Sequence, residues 1–352
     1  MTTANSPIIK NILVTGGAGF IGSAFARIML ANHPIYKIVV LDKLTYAGNL
    51  DNLLPVHDEP NFKFERGDIA DRETVERVIT THEIDSIVNF AAESHVDRSI
   101  LNPDAFIHTD VAGTYILLDS ARKLNVGRFH QVSTDEVYGS IPEGSFQEGD
   151  ALEPNSPYSA SKAGGELMVR AYNVTYGLHT TVTRGSNTYG SYQYPEKVMP
   201  FFITEALDNR PLPVYGDGMQ VRDWLHVDDH ARGIDLVLHK GAPGEIYNLG
   251  GENEQHNIDV TRLILKHLKK PESLVRYVTD RPGHDRRYSI GCEKLRALGW
   301  SRQYSHANFE EGIAETVAWY RQNDWWWRKI KTGEYLEFYK QQYATRLAES
   351  TS

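Results

Sequence analysis

The feature that most constrains this chain is a strand that runs straight into a glycine turn and then a helix. Ile8 to Thr15 reads as a buried strand, and Gly16-Gly17-Ala18-Gly19-Phe20-Ile21-Gly22 follows it directly. Phe20 to Ala31 then shows helical spacing, with Phe25, Ile28 and Met29 at core positions. Glycines at 16, 19 and 22 leave no Cβ atoms in the way of a pyrophosphate, and the helix N-terminus meets its charge. Alone, a GxxGxxG spacing also occurs where a strand and a helix merely pack closely. Its place at the first βα junction is what points to a dinucleotide.

The N-terminal half continues in the same rhythm. Strands are predicted over Lys37–Leu41, Asn61–Glu65, Ser86–Phe90, Arg128–Ser133 and Thr180–Arg184. Helices are predicted over Arg72–Thr81, Asp104–Asn125 and Tyr158–Tyr176, the last announced by Asn155, Ser156 and Pro157 as cap and first-turn residues. Alternation of this kind specifies an α/β fold, a Rossmann-type doubly wound parallel sheet. Past Thr188 prolines, glycines and aromatics break the rhythm, which predicts a smaller mixed α/β substrate domain. The expected division gives 1–186 to the dinucleotide domain, with 223–256 returning to it. The second domain takes 187–222 and 257–345, and 346–352 is a frayed tail. Phe309–Arg321 is a further amphipathic helix, and Trp325-Trp326-Trp327 beside it is expected to pack as a lid over the core.

Composition excludes several other classes. With 41% hydrophobic and 24% charged residues, 352 residues can bury a sizeable core. A net charge of -9 repels a nucleic-acid backbone. No apolar run approaches the roughly 20 residues of a membrane span. Met1 to Pro7 lack the pattern of a signal peptide, and the single Cys292 suits a reducing cytoplasm.

Asp42 ends the second strand, where a carboxylate can accept hydrogen bonds from both hydroxyls of an adenosine ribose. Its charge would repel a 2′-phosphate, so NAD is expected rather than NADP. Asp68 is similarly placed for the adenine. Of the 19 tyrosines, only Tyr158 has a lysine four positions on, Lys162. One helix face carries both, and the ammonium is expected to depress the phenol's pKa from about 10 and make it a usable base. Thr134 follows the RFHQVS strand at the carboxyl edge of the sheet, where its hydroxyl could share a hydrogen bond with the substrate oxygen.

TGGAGFIG, Asp42, Thr134 and Tyr158-x-x-x-Lys162, in that order, resemble the extended short-chain dehydrogenase/reductase family over nearly the whole chain. Thr134-Asp135-Glu136-Val137-Tyr138-Gly139 narrows the choice. Simple hydride transfer has no need of two acids beside the hydroxyl. Loss of water next to a new ketone does, with Glu136 as base and a protonated Asp135 as acid. With DKLTYAGN (42–49), AAESHVD (91–97), YPEK (194–197), RDWL (222–225) and DRPGHD (280–285), the chain is similar to the dTDP-glucose 4,6-dehydratase branch of that family. Thr188 and Ser191 depart from its usual NNYGP.

The resemblance implies conversion of dTDP-glucose to dTDP-4-keto-6-deoxyglucose and water by a lyase that holds NAD tightly and recycles it. Catalytic work would fall to Thr134, Asp135, Glu136, Tyr158 and Lys162. The cofactor would be held by Gly16, Gly19, Phe20, Ile21 and Gly22, then Asp42, Lys43, Leu44, Thr45 and Gly48. Asp68, Ile69, Phe90, Ala91, Ala92, Ser94, Thr109 and Thr188 would join them, with Tyr158 and Lys162. Ser94, Thr134, Asn187, Glu196, Lys197 and Val198 would meet the substrate. Arg222 and Arg281 suit a diphosphate as guanidinium forks, supported by Asn257 and His284. Pro213, Val214 and Tyr215 would line the base.

The resemblance also implies a homodimer paired through the helices near 104–125 and 158–176, with no nucleic-acid or membrane partner. Two other readings stand beside it. A nucleotide-sugar 4-epimerase would share the cofactor residues but have no use for the acid pair. A non-catalytic NAD-sensing protein would have no need of Tyr158 and Lys162. His226 and His230 stand four apart on a predicted helix, but no third ligand lies at useful spacing, so no metal is expected.

Overall fold

A computed structural model describes residues 9–280, 285–304, 308–333, 335 and 337. The six runs read as strands become β1 (Asn11–Thr15), β2 (Lys37–Asp42), β3 (Phe62–Arg66), β4 (Ser86–Asn89), β5 (Arg128–Thr134) and β6 (Thr180–Gly185). Six more strands follow: β7 (Asn187–Tyr189), β8 (Leu212–Tyr215), β9 (Val221–His226), β10 (Ile246–Leu249), β11 (Glu254–His256) and β12 (Val275–Val278). The main sheet has seven strands in the order β10-β6-β5-β4-β1-β2-β3, and every pairing in it is parallel.

Side chains on β1 show why the sheet is covered on both faces. Successive residues of a strand point to opposite faces. Ile12 and Val14 accordingly join one core with Phe25 and Met29, while Leu13 joins the other with Val39, Ile87 and Leu117. A strand buried on both sides reads as an unbroken apolar run, which is what Ile12-Leu13-Val14 is. Strand order reverses between β1 and β4, and ligands of such sheets collect outside the carboxyl ends at that switch point.

The chain returns to this sheet at β10, which pairs with β6, while β9 and β11 pair in a separate three-stranded sheet with β7. On the Val227–Lys240 helix, Ala231, Ile234 and Leu238 join the core of the Phe20–Asn32 helix. A second core gathers Tyr189, Phe201, Trp224, Ile264, Ile313 and Tyr320 around β7, β8 and β9. Trp326 and Trp327 are buried in that core, and Trp326 Nε1 donates to Asn52 Oδ1 at 2.9 Å across to the first lobe. Trp325 is 47% exposed, so only two of the three tryptophans act as the expected lid.

Two expected elements differ. The strand expected from Ile8 begins at Asn11. The rod expected over Asp104–Asn125 is three pieces: a short helix Pro103–Phe106, a π-helix Ile107–Gly113 and a helix Thr114–Lys123. Apolar spacing cannot reveal the wide turn, because the pattern stays helical throughout. The polar tail expected after 345 lies outside the described residues. Among the described residues no helix is long and apolar enough to cross a membrane.

Candidate active site

A cavity of about 310 Å³ opens along the carboxyl ends of the strands. Each of β1 to β6 delivers residues to it from the loop or turn that ends it. After β1, Gly16 has a φ of 64°, and a Cβ there would lie 2.6 Å from the amide nitrogen of Ala91. At Gly22 a Cβ would stand 2.5 Å from the Gly16 carbonyl oxygen. Side chains at either place would force the turn open. Gly19 caps the following helix with no side-chain hydrogen bond, so the first-turn amides stay available to an anion.

After β2, Asp42 accepts from the amides of Ala18 at 2.9 Å and Leu44 at 2.8 Å. Each oxygen keeps a lone pair, which suits two ribose hydroxyls. Burial raises this carboxyl, and the two amides act against that. After β3, Asp68 pairs with Lys43 at 2.6 Å. A pyrophosphate-sized glycine turn, a carboxylate placed for ribose and an acid–lysine pair beyond it together fit a dinucleotide.

At the far end stand the residues of the presumed chemistry. Thr134 ends β5, and the chain turns at once into the short 3-10 helix Asp135–Tyr138. Thr134 Oγ1 lies 3.2 Å from Asp135 Oδ1 and accepts from the Glu136 amide at 3.3 Å. Burial, with the charges of Glu136 and Asp223 added, raises the Asp135 carboxyl well above the usual carboxylate range. Burial thus favours the neutral form of Asp135, the form that can donate a proton. Ser156 and Ser159 form a reciprocal cap that starts the Pro157–Tyr176 helix and fixes where Tyr158 emerges.

The Tyr158–Lys162 pair departs from expectation. Lys162 Nζ donates to the Val132 carbonyl at 2.9 Å. Burial raises the Tyr158 phenol well above its ordinary value, Glu136 and Asp110 push it further, and only the Thr134 hydrogen bond opposes them. The phenol is thus raised where a depression by Lys162 was expected, with the ammonium hydrogen-bonded to the strand backbone and acids acting on the phenol.

Tested against the cavity, the expected residues divide cleanly. Thr134, Asp135, Glu136, Tyr158 and Lys162 all line it, as do Ser94, Asn187, Glu196 and Lys197. Every expected cofactor residue lines it except Leu44, whose amide instead holds Asp42 in place. Val198, Pro213, Val214, Tyr215, Arg222 and Asn257 are not on its wall. Arg222 is turned to the carbonyls of Val221 and Asp285, at 2.7 and 2.9 Å, and lies over the Tyr288 ring. Arg281 and His284 lie outside the described residues. Glu196 is tied to Arg98 at 3.1 Å, so its carboxylate enters the cavity already neutralised.

Sequence reasoning missed Glu93, Gln193, Tyr194 and His230 on the wall. His230 Nδ1 hydrogen-bonds Thr188 at 2.8 Å, and its Nε2 has no hydrogen-bond partner, like Asn187 Oδ1 and Asp135 Oδ2 nearby. Its four-residue spacing from His226 drew attention to a metal instead. His226 in fact caps its helix by accepting from the Asp228 amide. One other set, His33, Asp235 and His239, brings possible ligand atoms within 4.8 Å of one another among the described residues. Both imidazoles there already hydrogen-bond Asp235, away from the cavity.

A doubly wound sheet, a glycine turn at its switch point and a Tyr-x-x-x-Lys helix beside it define an extended short-chain dehydrogenase/reductase. The family model described as GDP-mannose 4,6 dehydratase matches residues 13–316. The chain is 49% identical to a dTDP-glucose 4,6-dehydratase of an Actinoplanes species, over 90% of this chain and 99% of that one. It superposes on the dTDP-glucose 4,6-dehydratase of Streptomyces venezuelae, solved with NAD bound, with a TM-score of 0.88 and 52% identity. That match covers 91% of this chain and 100% of the other. A UDP-glucose 4-epimerase of Thermus thermophilus, solved with NAD, shares the fold at a TM-score of 0.82 but only 32% identity, over 89% and 99% of the two chains. The chain belongs to the dTDP-glucose 4,6-dehydratase family.

Proposed function

We propose that this protein converts dTDP-glucose to dTDP-4-keto-6-deoxyglucose and water, as a hydro-lyase with NAD restored in every turnover. The observation that carries the reading is Asp135, a buried carboxyl set next to Glu136 in the cavity that also holds Tyr158, where burial favours its protonated form. An acid and a base side by side suit an elimination, and a 4-epimerase has no step that uses them. The identities of 52% to a dehydratase and 32% to an epimerase favour the same reading.

The chemistry NAD supplies when bound is a reversible hydride store between C4 and C6 of the hexose. Tyr158 takes the proton of the 4-hydroxyl as C4 is oxidised, the positive charge that NAD would bring opposing the acids that raise its phenol, and Thr134 is hydrogen-bonded to it. The new ketone acidifies C5, whose proton passes to Glu136. Asp135 protonates the departing 6-hydroxyl, which leaves as water. Glu136 then returns its proton to C5 as C6 is reduced, and Tyr158 gives up its proton as Asp135 takes one up, so no proton is gained or lost over the cycle. The site needs a 4-hydroxyl for Tyr158 and a 6-hydroxyl for Asp135, so a hexose with both is the substrate.

The residue assignments above, the division into a dinucleotide domain and a substrate domain, a homodimer and a cytoplasmic setting belong to the same reading. Ile107 and Tyr115, and Leu167, Val174 and Tyr176 on the Pro157–Tyr176 helix, are exposed apolar side chains on the two segments expected to pair. A second copy of the chain would cover them. Buried, unpaired Cys292 suits a reducing compartment.

Incubation with dTDP-, UDP- and CDP-glucose side by side tests the function. A 4-keto-6-deoxy product from dTDP-glucose is expected, and a nucleotide-linked galactose in its place would establish epimerisation. Glu136→Gln should retain C4 oxidation while water loss falls by about 10²-fold or more. Unchanged product formation would remove Glu136 from the mechanism.

A further inference from the structure

Between the helices flanking the cavity lies a buried acid that the steps above do not use. Asp110 sits in the π-helix Ile107–Gly113 and is 2% exposed. Its Oδ2 accepts from Ser161 Oγ at 2.6 Å, and Ser161 Oγ also lies 2.8 Å from the Tyr158 carbonyl. Its Oδ1 accepts from the Glu93 amide at 3.0 Å, on the loop that lines the cavity after β4. The Pro157–Tyr176 helix comes so close that a Cβ on Gly165 would stand 2.8 Å from the Asp110 carbonyl oxygen. Segments of π-helix recur at functional sites. This one sets a carboxylate against the turn of helix that carries both Tyr158 and Lys162.

We propose that Asp110 is the buried counter-charge of Lys162, a positioning residue that keeps the ammonium charged and seated on the Val132 carbonyl while Tyr158 works. The inference rests on the function proposed above for its catalytic consequence but not for its electrostatics. Burial drives the Lys162 ammonium toward the neutral form, and Asp110, then Glu166, oppose this. Burial likewise raises Asp110 to about 6, against the pull of Lys162, Ser161 and the Glu93 amide, with the Glu93 charge adding to the rise. Asp110 is thus ionised at neutral pH. The other ionisable groups acting on the phenol are Glu136 and Asp135, both acidic. The negative charge of Asp110 therefore raises both the phenol and the ammonium, and its loss should lower both.

Asp110→Asn tests this with little change of shape. The amide oxygen can still accept from Glu93, and the amide nitrogen can donate to Ser161. In protein labelled with ¹³Cε-lysine, the Lys162 signal, assigned by its loss in Lys162→Arg, reports the ammonium directly. Its midpoint should fall by about one pH unit in Asp110→Asn and stay in place in Ser161→Ala, which keeps the charge. In turnover of dTDP-glucose, both limbs of the kcat profile should move to lower pH with KM unchanged. A role in packing alone would lower kcat at every pH and leave the limbs where they were.

An unmoved lysine midpoint overturns the proposal. If the variant fails to fold, the unaltered protein decides: its Lys162 signal should shift near pH 6 as Asp110 ionises, and a flat trace there overturns the proposal. Because the lysine titration needs no turnover, failure of the proposed reaction would be seen separately in the product assay.

Discussion

Lys162 Nζ stands 2.9 Å from the carbonyl oxygen of Val132, on the strand that leads into Thr134, Asp135 and Glu136. One hydrogen bond thereby ties the helix of Tyr158 to the strand that leads into the acid pair. Lys162→Met should lower kcat by about 10²–10⁴-fold, the range of general acid–base contributions. It removes a buried cation beside an acidic cluster and leaves a buried carbonyl without that donor. Steady-state kinetics with dTDP-glucose check this, and a loss under tenfold would show that the ammonium has no part in proton transfer.

Asp42 is held by two backbone amides, which leaves its carboxylate poised for hydroxyl donors. Asp42→Asn should weaken NAD binding by about 10–100-fold, the equivalent of one or two charge-assisted hydrogen bonds. The same change should narrow the preference over NADP, because the charge that repels a 2′-phosphate is gone. Calorimetric titration of cofactor-free protein with each dinucleotide gives both numbers. Equal NAD affinity in the variant would place the ribose elsewhere.

Behind the cavity, Arg184 on β6 grips Glu166 on the Pro157–Tyr176 helix, with Nη2 to Oε2 at 2.7 Å and both side chains buried. Arg184 also donates to the Tyr138 hydroxyl at 2.6 Å, and that hydroxyl donates to Asn248 at 2.8 Å. Removing one member of a buried pair strands the other charge. Glu166→Gln should therefore cost about 3–5 kcal/mol in urea unfolding. A change under 1 kcal/mol would mean that water reaches the guanidinium.

On the other side of the sheet, Asp235 joins His33 at 3.1 Å and His239 at 2.9 Å. The Asp235 hydrogen bond raises His239 above its ordinary value, with burial opposing. Burial alone would raise the Asp235 carboxyl, but hydrogen bonds from both histidines outweigh it and carry it lower. The raised histidine stabilises the fold fully below its unfolded value of about 6.5 and loses that effect as pH rises through the folded value. The lowered aspartate stabilises above about 3.9 and loses its effect as pH falls through its folded value. His239→Gln should cost most near pH 5, about 1.5–3 kcal/mol for a charge-assisted hydrogen bond, and least above pH 8. Urea midpoints of both proteins across that range test it, and a pH-independent difference would rule out the charge.

Much of the fold was legible because it is written in local periods. Ile12-Leu13-Val14 shows a two-faced strand, and Ser156-Pro157 marks a helix start to within one residue. The π-helix at Ile107–Gly113 was not legible, since a wide turn leaves the apolar spacing unchanged. Leu44 was expected at the cofactor from the resemblance of DKLTYAGN, whereas what it supplies is the amide that holds Asp42. Arg222 was read as a diphosphate clamp from its chemistry, yet backbone carbonyls occupy its guanidinium.

By itself the sequence determined the parallel sheet, the glycine turn, Asp42 and the Tyr158–Lys162 and Asp135–Glu136 pairs, because each depends on residues a few positions apart. Only the tertiary structure decided that Asp110 stands against the Tyr158 helix, that His230 meets Thr188, and that Arg98 neutralises Glu196. Those partners lie 51, 42 and 98 residues apart. No local spacing encodes such a meeting, and it comes about only when burial of the two cores brings distant segments together.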